Sequence, residues 1–563
     1  MKRETRIAIC LFALLLMALL YHIAPEDNKP GEYKIKVYAE VDSKILTISS
    51  VFRLGELDYS QISVREEVED YIIILEHQRG IPHSPGNRLA IYLKILKNGE
   101  PVKLSLENVK AEIEDPMRRT FRIPFSKKSG DYVVAEFVPL IKMREATALL
   151  GLVAVLWFTA AIPLSVTALV IAVFEVLLGL LSAREALTPF FSPVVVLIMG
   201  GLLIARALNK HGADRYLARL MFRSGVASRN TFLFLVLLAT AFLSFWLPNT
   251  VTAVIMLPIV LGVLDGLKKK NTNFEKAVLL AIAYAANTGG IGTMVGTTTP
   301  PIAVELLNTI LGLKITFTDW LLYGLPAVFV ILPLCWLLLK LFYSFPNEPI
   351  NLDIRADSIL SKDQKLAILG LAFTAFLWLT EKIHGIPNSI VALIGAILLF
   401  LTGTLEVKDF KEIDWSVIIL LGGGLSLGEA LVKTGLAHFI AFKMGELPPL
   451  HPLLLLLITN EVSIFVTTFL SNTAAAAILS PIYIPLAIAL KMDPRLVVIQ
   501  AAITSSTDFI LPVGTPPNAV VYGTGRISLK EMIKTGLTAS MISTVLLTTV
   551  VTLIWAGMGI ITV

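Results

Sequence analysis

From about Ala146 to its C-terminus, the chain alternates long apolar segments with short polar ones. A transmembrane helix needs about 20 mainly apolar residues, and a series of these segments meets that length. A further apolar run, from residue 7 to about residue 23, follows the basic start of the chain. The pattern therefore predicts an α-helical polytopic membrane protein. Beside the N-terminal run, its predicted crossings are 146–161, 163–181, 193–209, 276–308, 319–342, 365–381, 387–403, 415–433, 494–524 and 536–560.

The membrane part contains two halves that repeat each other. Asn249 and Pro258 in the first half match Asn472 and Pro481 in the second, both at an offset of 223 residues. Each half has an odd number of predicted crossings, so the two halves must be inverted relative to each other. Basic residues are denser in 209–230 than in the equivalent second-half segment. This bias agrees with a cytoplasmic position for the first segment and an outer position for the second.

The part before the membrane region has another pattern. Residues 25–144 contain short alternating segments, and Lys97-Asn98-Gly99-Glu100 is a hairpin signal between two of them. We predict a small β-sandwich of immunoglobulin-like type, with a structural or interaction role rather than an enzymatic one. Residues 1–24 are predicted to be a retained signal-anchor helix, because 21–25 is a poor cleavage site for a signal peptide.

The charges predict how these parts lie in the membrane. The basic residues before the first apolar run place the N-terminus in the cytoplasm, so 25–144 is extracytoplasmic. A first membrane repeat then covers 145–345, a cytoplasmic linker 346–364 and a second repeat 365–563, whose C-terminus is extracytoplasmic. The expected location is the plasma membrane.

Composition supports this class of protein. The chain has 563 residues, of which 55% are hydrophobic and 16% charged, and its mean hydropathy is +0.75. Such a chain is too apolar for a set of soluble domains. The net charge of +5 lies mostly in loops, so it indicates topology rather than nucleic-acid binding. The two cysteines provide neither a disulfide framework nor a metal cluster.

Polar motifs interrupt the apolar sequence at matched places. Asn249-Thr250 and Ser471-Asn472-Thr473 predict the tips of two re-entrant hairpins, and 289–301 and 511–518 predict breaks in two helices. A single motif of either kind is usually a helix cap or a turn. Two of each, in the same order and within apolar sequence, point to a transporter's binding site.

These breaks suit ions. Helix N-termini carry unpaired N–H groups and a partial positive charge, which favour an anion without a buried lysine or arginine. Unwound carbonyls with hydroxyl and amide oxygens suit Na⁺. Two symmetric tips fit a substrate with two charged ends, such as a dicarboxylate. The motifs of a zinc protease and of a nucleotide-driven pump do not occur in the sequence, so an enzyme and a primary pump are disfavoured.

The tips Asn249-Thr250 and Leu470-Ser471-Asn472-Thr473, with the 511–519 motif, resemble the divalent anion–sodium symporter family of citrate, succinate and sulfate carriers. The resemblance covers about 146–563. It implies Na⁺-coupled secondary transport of a small divalent anion by an elevator mechanism, in a homodimer. The substrate-binding residues that it implies are Asn249, Thr250, Thr299, Asn472, Thr473, Thr515 and Pro516. The sodium ligands that it implies are Ser244, Asn249 and Thr298 in one site and Thr467, Asn472 and Gly514 in the other.

Some residues depart from the family pattern. Pro248 stands where the family has a serine, and Ile302 follows the first Pro-Pro where Asn518 follows the second. Both changes predict a weaker sodium site in the first half. Asp508, just before the second Pro-Pro motif, is a candidate group for binding a coupling cation or proton, with a helix-end cap as the alternative reading.

Other functions remain open at this point. Within transport, the alternatives are a sodium-independent dicarboxylate exchanger and a proton-linked oxyanion antiporter. The alternative from another class is a ligand-sensing membrane receptor that uses the β-rich domain.

Overall fold

The computed structural model describes most of the chain, with gaps mainly in the N-terminal domain and in loops. The described residues are 3–23, 31–41, 44–54, 62–79, 89–97, 100–102, 104, 109–114, 120–129, 132–137, 142–222, 226–267, 269–351, 360–445, 451–490 and 492–561. The predicted hairpin residues Asn98 and Gly99, and residues 352–359 of the predicted 346–364 linker, lie outside these ranges.

The N-terminal domain is an antiparallel sheet. Its strands are β1 (Gly31–Val41), β2 (Lys44–Leu54), β3 (Ile62–Val68), β4 (Tyr71–Arg79), β5 (Leu89–Lys97), β6 (Glu100–Pro101), β7 (Val109–Glu114), β8 (Thr120–Ser129) and β9 (Tyr132–Phe137). Their order is β2-β1-β7-β8-β9-β5-β4-β3, with β6 paired to β5. Alternate residues such as Ile35 and Val37 in β1 and Ile91 and Leu93 in β5 are buried in one shared core. Contacts of β2 with β3 and β4 show that the two ends of the sheet approach each other.

A helix precedes this domain and packs on the membrane part. α1 (Arg3–Ile23) lies along α2 (Met143–Thr159). Gly151 allows the close approach, because a Cβ at this position would lie 2.0 Å from Leu20 Cδ1. Ala13 in α1 is fully buried. The apolar N-terminal run is thus a helix that packs against the first helix of the membrane region.

The membrane region contains two sets of helices, before and after residues 352–359. The first half continues with α3 (Leu164–Leu177), α4 (Ala183–Leu187), α5 (Pro193–His211), α6 (Ala213–Met221), α7 (Arg229–Ser244), α8 (Asn249–Asp265), α9 (Thr272–Gly290), α10 (Thr299–Leu311) and α11 (Phe317–Phe342). The second half contains α12 (Lys362–Leu379), α13 (Glu381–His384), α14 (Asn388–Leu401), α15 (Trp415–Lys433), α16 (Leu436–Gly445), α17 (Pro452–Phe469), α18 (Asn472–Ala489), α19 (Pro494–Ser506), α20 (Pro516–Tyr522), α21 (Leu529–Leu546) and α22 (Thr552–Gly557). A short strand pair, β10 (Val226–Ser228) with β11 (Pro349–Asn351), joins the start of α7 to the end of the first half.

The apolar helices fit a polytopic membrane protein. By length and composition, the described helical stretches that could each cross a membrane are Ala183–His211, Phe317–Phe342, Trp415–Lys433, Pro452–Phe469 and Leu529–Gly557. Shorter apolar helices include α3, α7, α8 and α14. Of the other predicted spans, 146–161 lies in α2 and 365–381 in α12. The predicted spans 276–308 and 494–524 are the interrupted pairs α9–α10 and α19–α20, in which the helix stops within the apolar stretch.

The two halves contact each other reciprocally. α5 of the first half packs on α14, and α3 packs on α15. In the same way α10 packs on α19, while α20 packs on α9. Each of these contacts therefore has a counterpart in which the two halves exchange roles.

Polar groups join the halves at two further places. Glu175 in α3 is fully buried and accepts a hydrogen bond from Ser426 Oγ in α15. Arg206 and Lys210 in α5 form ion pairs of 3.1 and 2.7 Å with Asp409, in the segment before α15. Burial raises the pKa of the Asp409 carboxyl, but the hydrogen bonds from Lys210 and Arg206 lower it by more. Asp409 therefore stays charged and holds α5 to the second half.

Gly289 allows α9 to touch the first hairpin. A Cβ there would lie 2.4 Å from Ala241 O and 2.5 Å from Ala241 Cα in α7, and backbone atoms cannot move away as a flexible side chain can. We expect Gly289→Ala to lower the free energy of unfolding by about 1–3 kcal/mol, as overpacking usually does. Thermal denaturation in detergent measures this effect.

The matched control is Gly262→Ala in α8, where an added Cβ meets nothing within 4 Å. That change should be neutral or stabilise the helix by up to about 1 kcal/mol. Equal melting temperatures for the two variants would contradict the close contact of α7 with α9.

Candidate anion and cation site

Two helical hairpins carry the matched Asn-Thr pairs at their tips. α7 ends at Ser244 and α8 begins at Asn249, whereas α17 ends at Phe469 and α18 begins at Asn472. Each hairpin packs on the first part of a broken helix: α7 and α8 on α9, and α17 and α18 on α19. The sequence breaks at 289–301 and 511–518 thus lie next to the tips.

The two tips start their second helix differently. Ser471 precedes α18, and its Oγ accepts a hydrogen bond from Ala474 N at 3.2 Å. Pro248 has the same place before α8 and makes no side-chain cap. Loss of a capping hydroxyl usually costs about 1 kcal/mol. The first tip therefore has no side-chain cap, and the proline ring fixes the φ of Pro248, which is −51°.

A cluster of oxygen atoms lies at the first tip. Ser244 Oγ is 2.8 Å from Asn249 Oδ1 and 2.8 Å from Ala286 O in α9. The same terminal atom of Asn249 lies 3.1 Å from Ala286 O and from Gly296 O. A hydroxyl, an amide and two backbone carbonyls thus converge on one place.

The second tip repeats this arrangement. Thr467 Oγ1 is 2.9 Å from Asn472 Oδ1 and 2.9 Å from Ser505 O in α19. Thr467 corresponds to Ser244 and Asn472 to Asn249, both at the offset of 223 residues that relates the two halves. The carbonyl comes from the corresponding broken helix in each half, so the geometry as well as the motif is repeated.

The first cluster has more acceptor oxygens than hydrogens to share. Ser244 supplies one hydroxyl hydrogen, which cannot serve both Asn249 Oδ1 and Ala286 O. If the amide is turned, Asn249 Nδ2 donates to Ser244 Oγ, Ala286 O and Gly296 O. The other way to satisfy these oxygens is a cation among them. Hydroxyl, amide and unwound backbone oxygens are suitable ligands for Na⁺, so the donor set fits that ion.

Hydroxyl groups connect the two halves beside these clusters. Thr298 Oγ1, before α10, lies 2.6 Å from Thr473 Oγ1 on the second tip. Thr299 Oγ1 lies 2.7 Å from Ser506 Oγ at the end of α19. The break of one half thus contacts the tip and the break of the other, and the polar groups of both halves form one centre.

Asn287 is a further member of this centre that the sequence motifs did not indicate. It is fully buried in α9, and its Nδ2 donates to Thr515 Oγ1 at 2.9 Å. The same nitrogen lies 3.4 Å from both Asp508 O and Asn518 Oδ1. A lone amide just before Gly289-Gly290, inside an apolar helix, was the available signal. Asn287 joins the first broken helix to the second break.

The predicted substrate-binding residues differ in accessibility. Thr250 and Pro516 are exposed, and Asn472 is half-buried. Thr473 is buried, with 7% of its surface exposed, and its hydroxyl is shared with Thr298. Thr299 is fully buried against Ser506.

Thr515 is also largely enclosed. It is 1% exposed, and its hydroxyl accepts from Asn287 Nδ2 and from Asn518 N. Its oxygen therefore has its lone pairs engaged by protein donors. Thr299 and Thr515 therefore lie inside the polar centre, whereas Thr250, Asn472 and Pro516 keep part of their surface exposed.

The family comparison assigns the membrane part. The model of the sodium:sulfate symporter transmembrane region matches residues 138–561, which leaves the N-terminal sheet outside the match. Among curated proteins, an uncharacterised transporter of Haemophilus influenzae is 36% identical over 438 residues, covering 74% of this chain and 92% of that protein. An uncharacterised transporter of Methanocaldococcus jannaschii is 35% identical over 402 residues, covering 70% and 90%.

A relative with a named activity covers the same region. The sodium-dependent dicarboxylate transporter SdcS of Staphylococcus aureus is 30% identical over 436 residues, covering 71% of this chain and 83% of that protein. Among solved structures, the antimetabolite efflux pump MtrF of Neisseria gonorrhoeae aligns with a TM-score of 0.44 at 13% identity, over 67% of this chain and 83% of that one. A score at that level carries no argument about the fold. The family match spans most of the chain and nearly all of its membrane helices, and the chain belongs to the family of the sodium:sulfate symporter transmembrane region.

Proposed function

We propose that this protein is a secondary active transporter that moves a small divalent anion across the membrane together with Na⁺. The observation that carries the proposal is the repeated cluster of hydroxyl, amide and carbonyl at the two tips, joined through Thr298 and Thr473. The substrate class is a dicarboxylate such as succinate, or citrate or sulfate. The name of the staphylococcal relative, a sodium-dependent dicarboxylate transporter, supports both parts of the proposal.

The anion is proposed to bind between the tips. Thr250 on the first tip and Asn472 on the second have surface available for it, and Pro516 lies at the start of α20 beside them. Asn249 and Thr473 begin the tip helices and carry polar groups within the same centre. Thr299 and Thr515 support these residues from inside, through their bonds to Ser506 and Asn287.

Sodium is proposed to be held at two places. Ser244, Asn249 and the backbone near Thr298 provide one set of ligands, while Thr467, Asn472 and the backbone near Gly514 provide the other. A bound Na⁺ supplies positive charge beside the anion and draws the tip and the broken helix together. The Pro248 tip has no capping hydroxyl, so we expect the first site to be the weaker of the two.

The proposed architecture is that of inverted repeats. The matched order of helices and the reciprocal contacts between halves support two five-span repeats, each with a re-entrant hairpin and a broken helix. Movement of the hairpins and broken helices past the remaining helices gives an elevator mechanism, and the assembly is a homodimer. No enzymatic activity is proposed.

Transport is tested with purified protein in liposomes. We expect an inward Na⁺ gradient to drive uptake of labelled succinate, citrate or sulfate, and choline in place of Na⁺ to reduce uptake by about tenfold or more. Asn249→Ala and Asn472→Ala should each abolish uptake while the protein remains monodisperse. Their matched control is Asn347→Ala, at the segment before β11 and away from both tips. Uptake that ignores Na⁺ and needs an anion inside the liposome would show an exchanger instead.

The β-rich domain at 25–144 is proposed to be extracytoplasmic, with the N-terminus in the cytoplasm. Ile45 in β2 is 74% exposed and accepts a label without disturbing the core. In a variant without Cys10 and Cys335, Ile45→Cys should react with a membrane-impermeant maleimide in intact cells. Reaction only after permeabilisation would place the domain in the cytoplasm.

A further inference from the structure

Asp508 is a buried acid whose carboxylate takes no part in the hydrogen bonds between the two halves described above. It follows α19 and is fully buried. One carboxylate oxygen, Oδ1, accepts a hydrogen bond from Ile510 N at 3.0 Å. The other, Oδ2, is buried without a hydrogen-bond partner. A buried carboxylate oxygen without a partner costs free energy, so this group needs a ligand.

The unpaired oxygen faces the second break. A Cβ on Gly514 would lie 1.9 Å from Asp508 Oδ2, so the carboxylate rests directly on the backbone of that glycine. The Thr468 hydroxyl, which donates to Ile464 O in α17, is also near the Asp508 carboxyl. Thr468 is the neighbour of Thr467, whose hydroxyl joins Asn472 to Ser505 O. The carboxylate is thus placed between the end of α17 and the Gly514 turn.

No described basic side chain forms an ion pair with Asp508, since the groups that act on its carboxyl are Ile510 N and the Thr468 hydroxyl. The groups that face it from α17 and from the break are therefore neutral. A cation bound beside Oδ2 would supply the missing positive charge.

The first half has no counterpart of this acid. The stretch 286–301, which contains Ala286, Gly296 and the first Pro-Pro, has neither aspartate nor glutamate. In the first half a glycine lies against the tip: a Cβ on Gly290 would lie 2.1 Å from Asn249 Oδ1. The first oxygen cluster is therefore neutral, and the second has a negative charge next to it.

We propose that the Asp508 carboxylate is a charged ligand of the sodium site formed by Thr467, Asn472 and the Gly514 turn. The inference deepens the proposed function and rests on it. Na⁺ accepts oxygen ligands of this kind, and its charge offsets the cost of the buried carboxylate. The two sodium sites then differ in charge, and the second binds Na⁺ more tightly because its ligand set is anionic.

The test uses sodium binding without transport. The melting temperature of the purified full-length protein is measured without substrate, while NaCl replaces choline chloride at constant ionic strength. A ligand that binds only the folded state stabilises it by RT ln(1 + [L]/Kd), so the melting temperature rises once the Na⁺ concentration exceeds Kd. For Asp508→Asn, which keeps the shape and removes the charge, we expect the Na⁺ concentration that gives a fixed rise in melting temperature to increase about tenfold or more. In Na⁺-free buffer the same variant should melt above the wild type, because it no longer buries an unpaired charge.

The control variant is Asp265→Asn, which removes a carboxylate at the exposed end of α8, where it pairs with Arg526. Its Na⁺ dependence should match the wild type. If Asp508→Asn does not purify as a folded protein, Gly514→Ala takes its place. The alanine Cβ displaces the Asp508 carboxylate, while the negative charge of Asp508 is kept. This variant should raise the required Na⁺ concentration in the same way.

The outcomes separate this inference from the proposed function. If a folded Asp508 or Gly514 variant needs the same Na⁺ concentration as the wild type for the same rise in melting temperature, the role of Asp508 is overturned and sodium-coupled transport is left standing. A wild type that Na⁺ does not stabilise and that transports no anion overturns both.

Discussion

Irregular backbone inside a membrane must have its N–H and C=O groups satisfied by the protein, because lipid offers no hydrogen bonds. The structure meets this constraint with side chains of the break itself in the first half and of a neighbouring helix in the second. Thr293 Oγ1 donates to Phe245 O at the first tip. At the second break, Ser540 Oγ accepts from Phe509 N and donates to Thr507 O. The site can therefore be open to ions while its backbone is held in place.

The halves depend on each other because the contacts are exchanged between them. α10 rests on α19 and α20 on α9, so neither broken helix is supported by its own half alone. Thr298 with Thr473, and Asn287 with Thr515, continue this exchange at the level of single side chains. The symmetry is not complete, because Pro248 replaces a capping serine on one side and Asp508 adds a charge on the other. The two clusters therefore differ in capping and in charge although their helices contact each other reciprocally.

The sequence predicted the helical breaks well because breaks in apolar sequence are local features. The broken spans at 276–308 and 494–524 appear as α9–α10 and α19–α20, and both tips begin a helix at the predicted asparagine. Contacts between distant segments could not be predicted in this way. Nothing in the local pattern near Asn287 shows that its amide reaches Thr515, and the enclosure of Thr299 by Ser506 depends on the packing of α10 against α19.

The order of strands in the N-terminal sheet could not be predicted from the sequence either, because it depends on contacts between distant segments. Alternation predicts a strand and its buried face, but it does not predict that β9 lies between β8 and β5. The hairpin signal at Lys97 was local, and there the pairing of Lys97 with Glu100 agrees with a two-residue turn.

We propose that both halves bind one anion at a shared polar centre. A cryo-electron microscopy map of the protein in a lipid nanodisc, with Na⁺ and the anion that it transports, can show where this anion binds. We predict density for one anion in contact with the Asn249-Thr250 tip and the Asn472-Thr473 tip together. Anion density held by one half alone, or located away from both tips, would contradict it.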